Sequence, residues 1–164
     1  MTRSGVAPSP GPSDPPPLRP FGLLLHHDGA WTHEGVPIRN RKLRAVFDRS
    51  VRYLPEAGIF VVQLGRFRGL IEVEEAAFFV RSFDPGSGGI SLSDGSQERL
   101  DPSTLRVSPR DGALLCTVKR ELLPAGLLAR FFHAAQAELL CAVEESAQGP
   151  RLRAGGVLHP LPGL

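Results

Sequence analysis

Apolar and polar positions alternate most clearly in Phe67–Val73, where Phe67, Gly69, Ile71 and Val73 interleave with Arg68, Leu70 and Glu72. A period of two predicts a half-buried strand. Ile59–Leu64 is a second apolar strand, joined to the first through the turn Gly65–Arg66, and Ala77–Phe83 is a third. Between residues 41 and 54 the period changes. Leu43, Val46, Phe47, Val51 and Leu54 recur at helical spacing and predict an amphipathic helix from Arg41 to Leu54. Asn40 is its N-cap and Pro55 its stop. A second helix is predicted from Pro124 to about Glu145, on a wide stripe that includes Leu127, Leu128, Phe131, Phe132, Ala135 and Leu139. Residues 151–159 are expected to add one or two short strands.

Three Asp-Gly pairs punctuate this pattern: Asp28-Gly29, Asp94-Gly95 and Asp111-Gly112. Each is flanked by strand-like sequence, and Asp-Gly suits a two-residue type I′ hairpin turn. The loop 84–89 is the strongest internal boundary. The expected fold is therefore α+β, with two similar strand-and-helix halves, residues 21–83 and 84–164. Each half is an antiparallel sheet packed on an amphipathic helix. The first and last Asp-Gly units, each followed by a strand and a helix, suggest an internal repeat.

Composition adds the leader. Seven of the 16 prolines fall in residues 1–20, which offer little to bury and are expected to be disordered. The remainder has the makeup of an ordinary domain, with 41% hydrophobic and 22% charged residues. No stretch approaches the roughly 18 apolar residues of a membrane helix. The early run Phe21–Leu25 is too short for a signal peptide, so the expected location is the cytoplasm and no membrane partner is expected. Two cysteines, Cys116 and Cys141, sit in apolar surroundings and read as free thiols of a reducing compartment.

The candidate chemistry is thin. His26, His27, His33 and Glu34 flank the first Asp-Gly turn. Adjacent His26 and His27 should point to opposite strand faces, which argues against a shared metal. Glu72, Glu74 and Glu75 read as a solvated face, and His133 as packing at the edge of a helix stripe. No nucleophile–base pair, phosphate loop, dinucleotide fingerprint or metalloprotease motif is present, and no catalytic residue, metal or cofactor is expected. The most substantial charge feature runs from Arg39 to Tyr53, with six basic residues and one acid, Asp48. Arg39, Arg41, Lys42 and Arg44 crowd a helix start, already positive through its dipole. Arg66 and Arg68 flank Phe67 and add cations and a stacking ring. These seven residues form the candidate binding surface. Its expected partners are an unknown protein or a small anionic ligand. Nucleic acid is a less favoured alternative, because the net charge is only +2.

Two stretches carry a family resemblance. One is Asp28-Gly29-Ala30-Trp31 through Gly35-Val36-Pro37-Ile38, followed by Leu43, Val46 and Phe47. The other is Ile71-Glu72-Val73-Glu74-Glu75-Ala76-Ala77-Phe78. Together they resemble the bacterial family of unknown function DUF1285, and more distantly the uncharacterised family UPF0598. The match covers most of residues 26–83, with a looser match through 100–145. Glu75 stands where the family has Asp, Ala77 where it has Pro, and Asn40 where it has Arg. The family's Thr-Pro-x-Glu stretch is replaced around Gly65-Arg66-Phe67-Arg68. The resemblance implies an α+β protein of two repeated halves, with a regulatory, signal-transduction or ligand-binding role. The expectation is a non-enzymatic binding module. The alternatives are nucleic-acid or phosphate binding through the Arg-rich helix, or a small enzyme.

Overall fold

Strand pairing begins at Arg19, earlier than the expected onset of order at Phe21. The computed structural model describes residues 18–164, so most of the predicted leader lies outside the described residues. The first sheet is built from β1 (Arg19–Leu25), β2 (Trp31–His33), β3 (Val36–Pro37), β4 (Val51–Leu54), β5 (Ile59–Leu64) and β6 (Phe67–Val73). Its strand order is β3-β2-β1-β6-β5-β4. The helix α1 (Arg41–Ser50) falls between β3 and β4 and packs on β5. The second sheet contains β7 (Phe78–Asp84), β8 (Gly89–Leu92), β9 (Gln97–Arg99), β10 (Arg106–Val107), β11 (Leu114–Val118) and β12 (Leu127–Phe131), in the order β10-β11-β12-β7-β8-β9. A 3-10 turn, Pro102–Thr104, separates β9 from β10. Helix α2 (His133–Cys141) packs on β7. A third sheet follows from β13 (Val143–Ser146), β14 (Gly149–Ala154) and β15 (Val157–Pro160). Read from its other edge, the second order is the first with every strand number raised by six.

Both large sheets are mixed, not antiparallel as expected. β1 runs parallel to β6 and β7 parallel to β12, at the centre of each sheet. A parallel pair needs a long crossover, and here each crossover is the whole of the intervening sheet. Buried side chains from both sheets, including Leu25, Trp31 and Ile71 from the first and Phe78, Val80 and Ala129 from the second, belong to one continuous core.

Two helices are shorter than their periodicity predicts. Asn40 caps α1 as expected, its side chain accepting from the Leu43 amide at 3.1 Å. At Val51 the backbone turns extended, and Val51–Leu54 pairs with Ile59–Val62. Val and Tyr favour that pleated position, and the turn after Pro55 brings the partner alongside. The predicted second helix is in fact β12, a break at Phe132, then α2. β12 lies between β11 and β7, with Leu127, Ala129, Arg130 and Phe131 all buried. A strand buried on both faces is a continuous apolar run, which also looks like a wide helix stripe.

All three Asp-Gly hairpins form, though none is a type I′ turn. The glycines at 29, 95 and 112 have φ of 89°, 87° and 79°, and none of the three aspartates has positive φ. Each Asp carboxylate instead accepts from the amide two residues on, at Ala30, Ser96 and Ala113. That is the Asx-turn geometry. The loop 84–89 is the β7–β8 hairpin turn inside the second sheet, and the chain changes sheet at residues 74–77.

Gly69 is required by close approach. Its φ is outside the left-handed region, yet a Cβ there would stand 1.8 Å from the Phe21 ring. Gly69→Ala is expected to cost about 1–3 kcal/mol by overpacking. Urea unfolding monitored by Trp31 fluorescence would measure it. An unchanged midpoint would mean that Phe21 swings aside freely.

Candidate functional site

The change of sheet creates a charged junction. The Glu74 amide donates to the Leu25 carbonyl at 2.9 Å, holding the crossover against the end of β1. His26 and His27 follow β1 directly, so they lie in a loop where the opposite-faces rule for strands no longer applies. Both reach Glu74. His26 Nδ1 is 3.0 Å from Oε2, and His27 Nδ1 is 2.5 Å from Oε1. Arg110 Nη1 adds a contact to Oε1 at 3.0 Å. The His27 hydrogen bond, helped by His26 and Arg110 against partial burial, holds the Glu74 carboxyl below its ordinary value. A carboxylate only accepts, so both imidazoles donate through Nδ1. His26 Nε2 is hydrogen-bonded to Thr32 Oγ1 at 3.0 Å, a hydroxyl able to serve it as donor or acceptor.

Glu75 binds a different set. Its Oε1 is 3.2 Å from Arg130 Nη1, and its Oε2 accepts from Ser108 Oγ at 2.7 Å. The other terminal nitrogen of Arg130 donates to Asp111, and that hydrogen bond is the main reason the Asp111 carboxyl lies below its ordinary value. Crossover, both hairpin loops and β12 are thereby tied together. The expected solvated face thus holds only for Glu72, which is exposed. The groups at this junction satisfy one another and act as a clasp. Beside it, Asp28, Asp111, Arg130 and His133 line a hollow of about 140 Å³, below the roughly 300 Å³ of a ligand pocket. His133, expected to pack, is exposed at the first position of α2. Cys116 and Cys141 are both free, and burial pushes the Cys116 thiol up to about 12.

A larger cleft, about 440 Å³, opens on the neighbouring side and shares Asp28 and Phe132 with that hollow. Arg41, Arg44, Ala45 and Asp48 of α1 form one wall, and Arg81 of β7 and Phe132 form the other. Phe132 stacks on Phe79 with ring centroids 4.9 Å apart, and Arg81 stands 6.0 Å over the Phe132 ring. Asp48 accepts from Trp31 Nε1 at 2.8 Å and pairs with Arg81 at 3.2 Å. Burial nevertheless pushes its carboxyl above the ordinary value, against the indole donor and three nearby guanidiniums. Trp31 is in the core, 1% exposed. Arg44 Nε is buried and meets no acceptor among the described residues.

The seven candidate residues therefore separate. Arg41 and Arg44 line the cleft. Arg39 and Lys42 are exposed and do not line it. Arg66, Phe67 and Arg68 sit at the β5–β6 turn and the start of β6, and Phe67 is 71% exposed. Sequence reasoning missed Arg81, Phe132, Arg130 and Asp111. Arg130 carried a usable signal: a single charge inside the apolar run Leu127–Phe131 must find a partner once buried. Arg81 and Phe132 carried none.

No family model and no curated protein matches the sequence. Among solved structures, a DUF1285 family protein from Silicibacter pomeroyi DSS-3 superposes with a TM-score of 0.62 at 20% identity, over 94% of this chain and 89% of that one. A DUF1285 family protein from Shewanella baltica OS155 gives a TM-score of 0.47 at 16% identity, over 70% of this chain and 85% of that one. The first likeness establishes the architecture: this chain has a DUF1285-like fold.

Proposed function

We propose that the protein is a non-enzymatic regulatory module of the cytoplasm that binds a small anionic ligand in the cleft between α1 and the second sheet. The observation that carries this reading is Arg44, whose Nε is buried without an acceptor among the described residues. An unsatisfied buried donor costs about 1–3 kcal/mol, and an entering oxyanion relieves that cost. Arg41 and Arg81 bring two more guanidiniums to the same walls, and Phe132 offers a flat apolar face. Asp28 and Asp48 are the opposing charges. Two free cysteines support a reducing compartment.

The cleft lies where two similar halves meet. The matching strand orders support this duplication, with residues 74–77 as the join in place of the loop 84–89. In that correspondence α1 matches the 3-10 turn, since each lies between the third and fourth strands of its unit.

Titration of the full chain with inorganic phosphate and with phenyl phosphate, followed by calorimetry, tests the cleft. Arg44→Gln is expected to weaken binding about tenfold, as loss of a charge-assisted hydrogen bond does. Asp48→Asn is expected to tighten it, because an acceptor for Trp31 remains while a competing charge goes. A carboxyl raised by burial contributes stability that is lost as pH rises through its folded pKa. At neutral pH Asp48→Asn should therefore not weaken the fold. Equal binding by all three proteins, or none by any, would end this reading.

A further inference from the structure

Helix α1 presents a second face. Arg41, Arg44, Ala45 and Asp48 turn toward the cleft, whereas Leu43 and Phe47, one turn apart, line an apolar groove of about 400 Å³. Phe21, Leu23, Ile38 and Leu64 complete its walls, and His33 is the one polar side chain among the described lining residues. The groove has a buried floor in Leu23 and Phe47 and half-buried walls in Phe21, Ile38 and Leu64, while Leu43 is 43% exposed; nearby in sequence, Val46 is 37% and Phe67 71% exposed. A contiguous apolar patch of this kind marks an interaction site.

The charge beside the groove has one predominant sign. Arg39 follows Ile38, Lys42 precedes Leu43, and Arg66 lies two residues beyond Leu64, so three cations adjoin three lining residues in sequence. All three are exposed, and among the described residues none of their side chains makes a hydrogen bond or ion pair. Two acids adjoin the groove in the same way: Glu34, next to His33, and Asp48, next to Phe47, whose carboxylate is taken by Trp31 and Arg81. Arg39, Lys42 and Arg66 are three of the five members of the sequence-predicted binding surface that do not line the cleft.

We infer that this groove docks an acidic segment of a partner protein. Bulky apolar side chains of that segment enter among Leu43, Phe47 and Leu64, and its carboxylates meet Arg39, Lys42 and Arg66. Apolar anchors supply the affinity, and the cationic surround steers the encounter and selects against basic segments. The inference does not rest on the anion-binding reading, because the two surfaces use different faces of α1.

A random peptide library displayed on phage and panned on the immobilised full chain tests it, with selected peptides then titrated by fluorescence anisotropy. The expected sequences combine Asp or Glu with at least two bulky apolar residues. Binding is expected to weaken about tenfold in Leu43→Ser and in Arg39→Glu with Lys42→Glu. These positions are exposed, and circular dichroism checks that the fold is kept. Arg44→Gln should leave peptide affinity unchanged, so failure here and failure of the cleft reading are distinguishable. Neutral or basic selected peptides, no enriched sequence, or full affinity in Leu43→Ser would overturn the proposal. So would binding of anionic vesicles or self-association that Leu43→Ser abolishes, which would make the occupant a lipid surface or a second copy. An oligonucleotide that competes with the peptide and loses affinity in Phe67→Ala would overturn it in favour of nucleic acid.

Discussion

Arg130→Met is expected to lower unfolding stability by about 3–5 kcal/mol, the range for removing one partner of a buried ion pair. The side chains of Arg130 and Glu75 are each 9% exposed and are 3.2 Å apart. Removing the guanidinium leaves the Glu75 carboxylate with Ser108 as its main donor and with Arg110, whose Nε is 3.6 Å away. It also frees Asp111, loosening the β10–β11 loop from β12. Urea unfolding at neutral pH measures the loss. Arg130→Met with Glu75→Gln should recover part of it, because the stranded charge goes too. The pH dependence has a definite sign. Asp111 is held below its ordinary value, first by the Arg130 hydrogen bond. Its contribution is therefore present above the unfolded carboxyl pKa and lost as pH falls through the folded one. Arg130→Met should flatten stability against pH below about 4. A loss under about 1 kcal/mol would show that the clasp is not a buried pair in solution.

Lys119→Met should have an effect of similar size at the other end of the second sheet. The Lys119 side chain is 8% exposed and that of Asp94 10%, with Nζ 2.8 Å from Asp94 Oδ2. Nζ also donates to Ser96 Oγ at 2.6 Å and lies 5.3 Å from the Phe78 ring centroid. Its backbone amide donates to both Glu98 carboxylate oxygens, at 3.1 and 3.2 Å. The residue therefore joins the end of β11 to the β8–β9 hairpin. Methionine fills the volume but leaves Asp94 without its cation, again at a cost of about 3–5 kcal/mol. Burial pushes the Asp94 carboxyl up, but hydrogen bonds from Lys119 and Ser96 and the lysine charge bring it below its ordinary value. That contribution too is present at neutral pH and lost as pH falls through the folded pKa. Lys119→Met with Asp94→Asn should restore a large part of the stability. If the single variant unfolds at the wild-type midpoint, water reaches this pair and the burial argument fails.

Several elements were legible residue by residue. Ile59–Leu64 and Phe67–Val73 form as strands at the expected bounds, because their alternation and the Gly65–Arg66 turn are local signals. The start of α1 was legible for the same reason, since Asn40 caps it three residues away. The end of α1 was not, because Val51 and Leu54 satisfy a helical stripe as well as a strand paired to Val62 and Ile59. Leu127–Phe131 misled in the same way. Of the cleft, Arg41 and Arg44 stood out in the sequence as basic residues at one helix start, whereas their neighbours Arg81 and Phe132 did not. The Glu74–Glu75 pair was visible as two charges and invisible as a clasp, since its partners come from residues far along the chain.

By itself the sequence determined the strands Ile59–Leu64 and Phe67–Val73, the Asp-Gly hairpins, the capped start of the first helix and the presence of an Arg-rich surface. Each of these depends on contacts within a few residues. Only the tertiary structure decided which strands lie side by side, where one sheet hands over to the next, and which charges share a cleft. The central parallel pairs join the first and last strands of each sheet, and Arg130 meets Asp111 and Glu75 across separations of 19 and 55 residues. Periodicity reports which face of an element is buried; it does not say which distant element buries it, and that choice follows from packing the whole core at once.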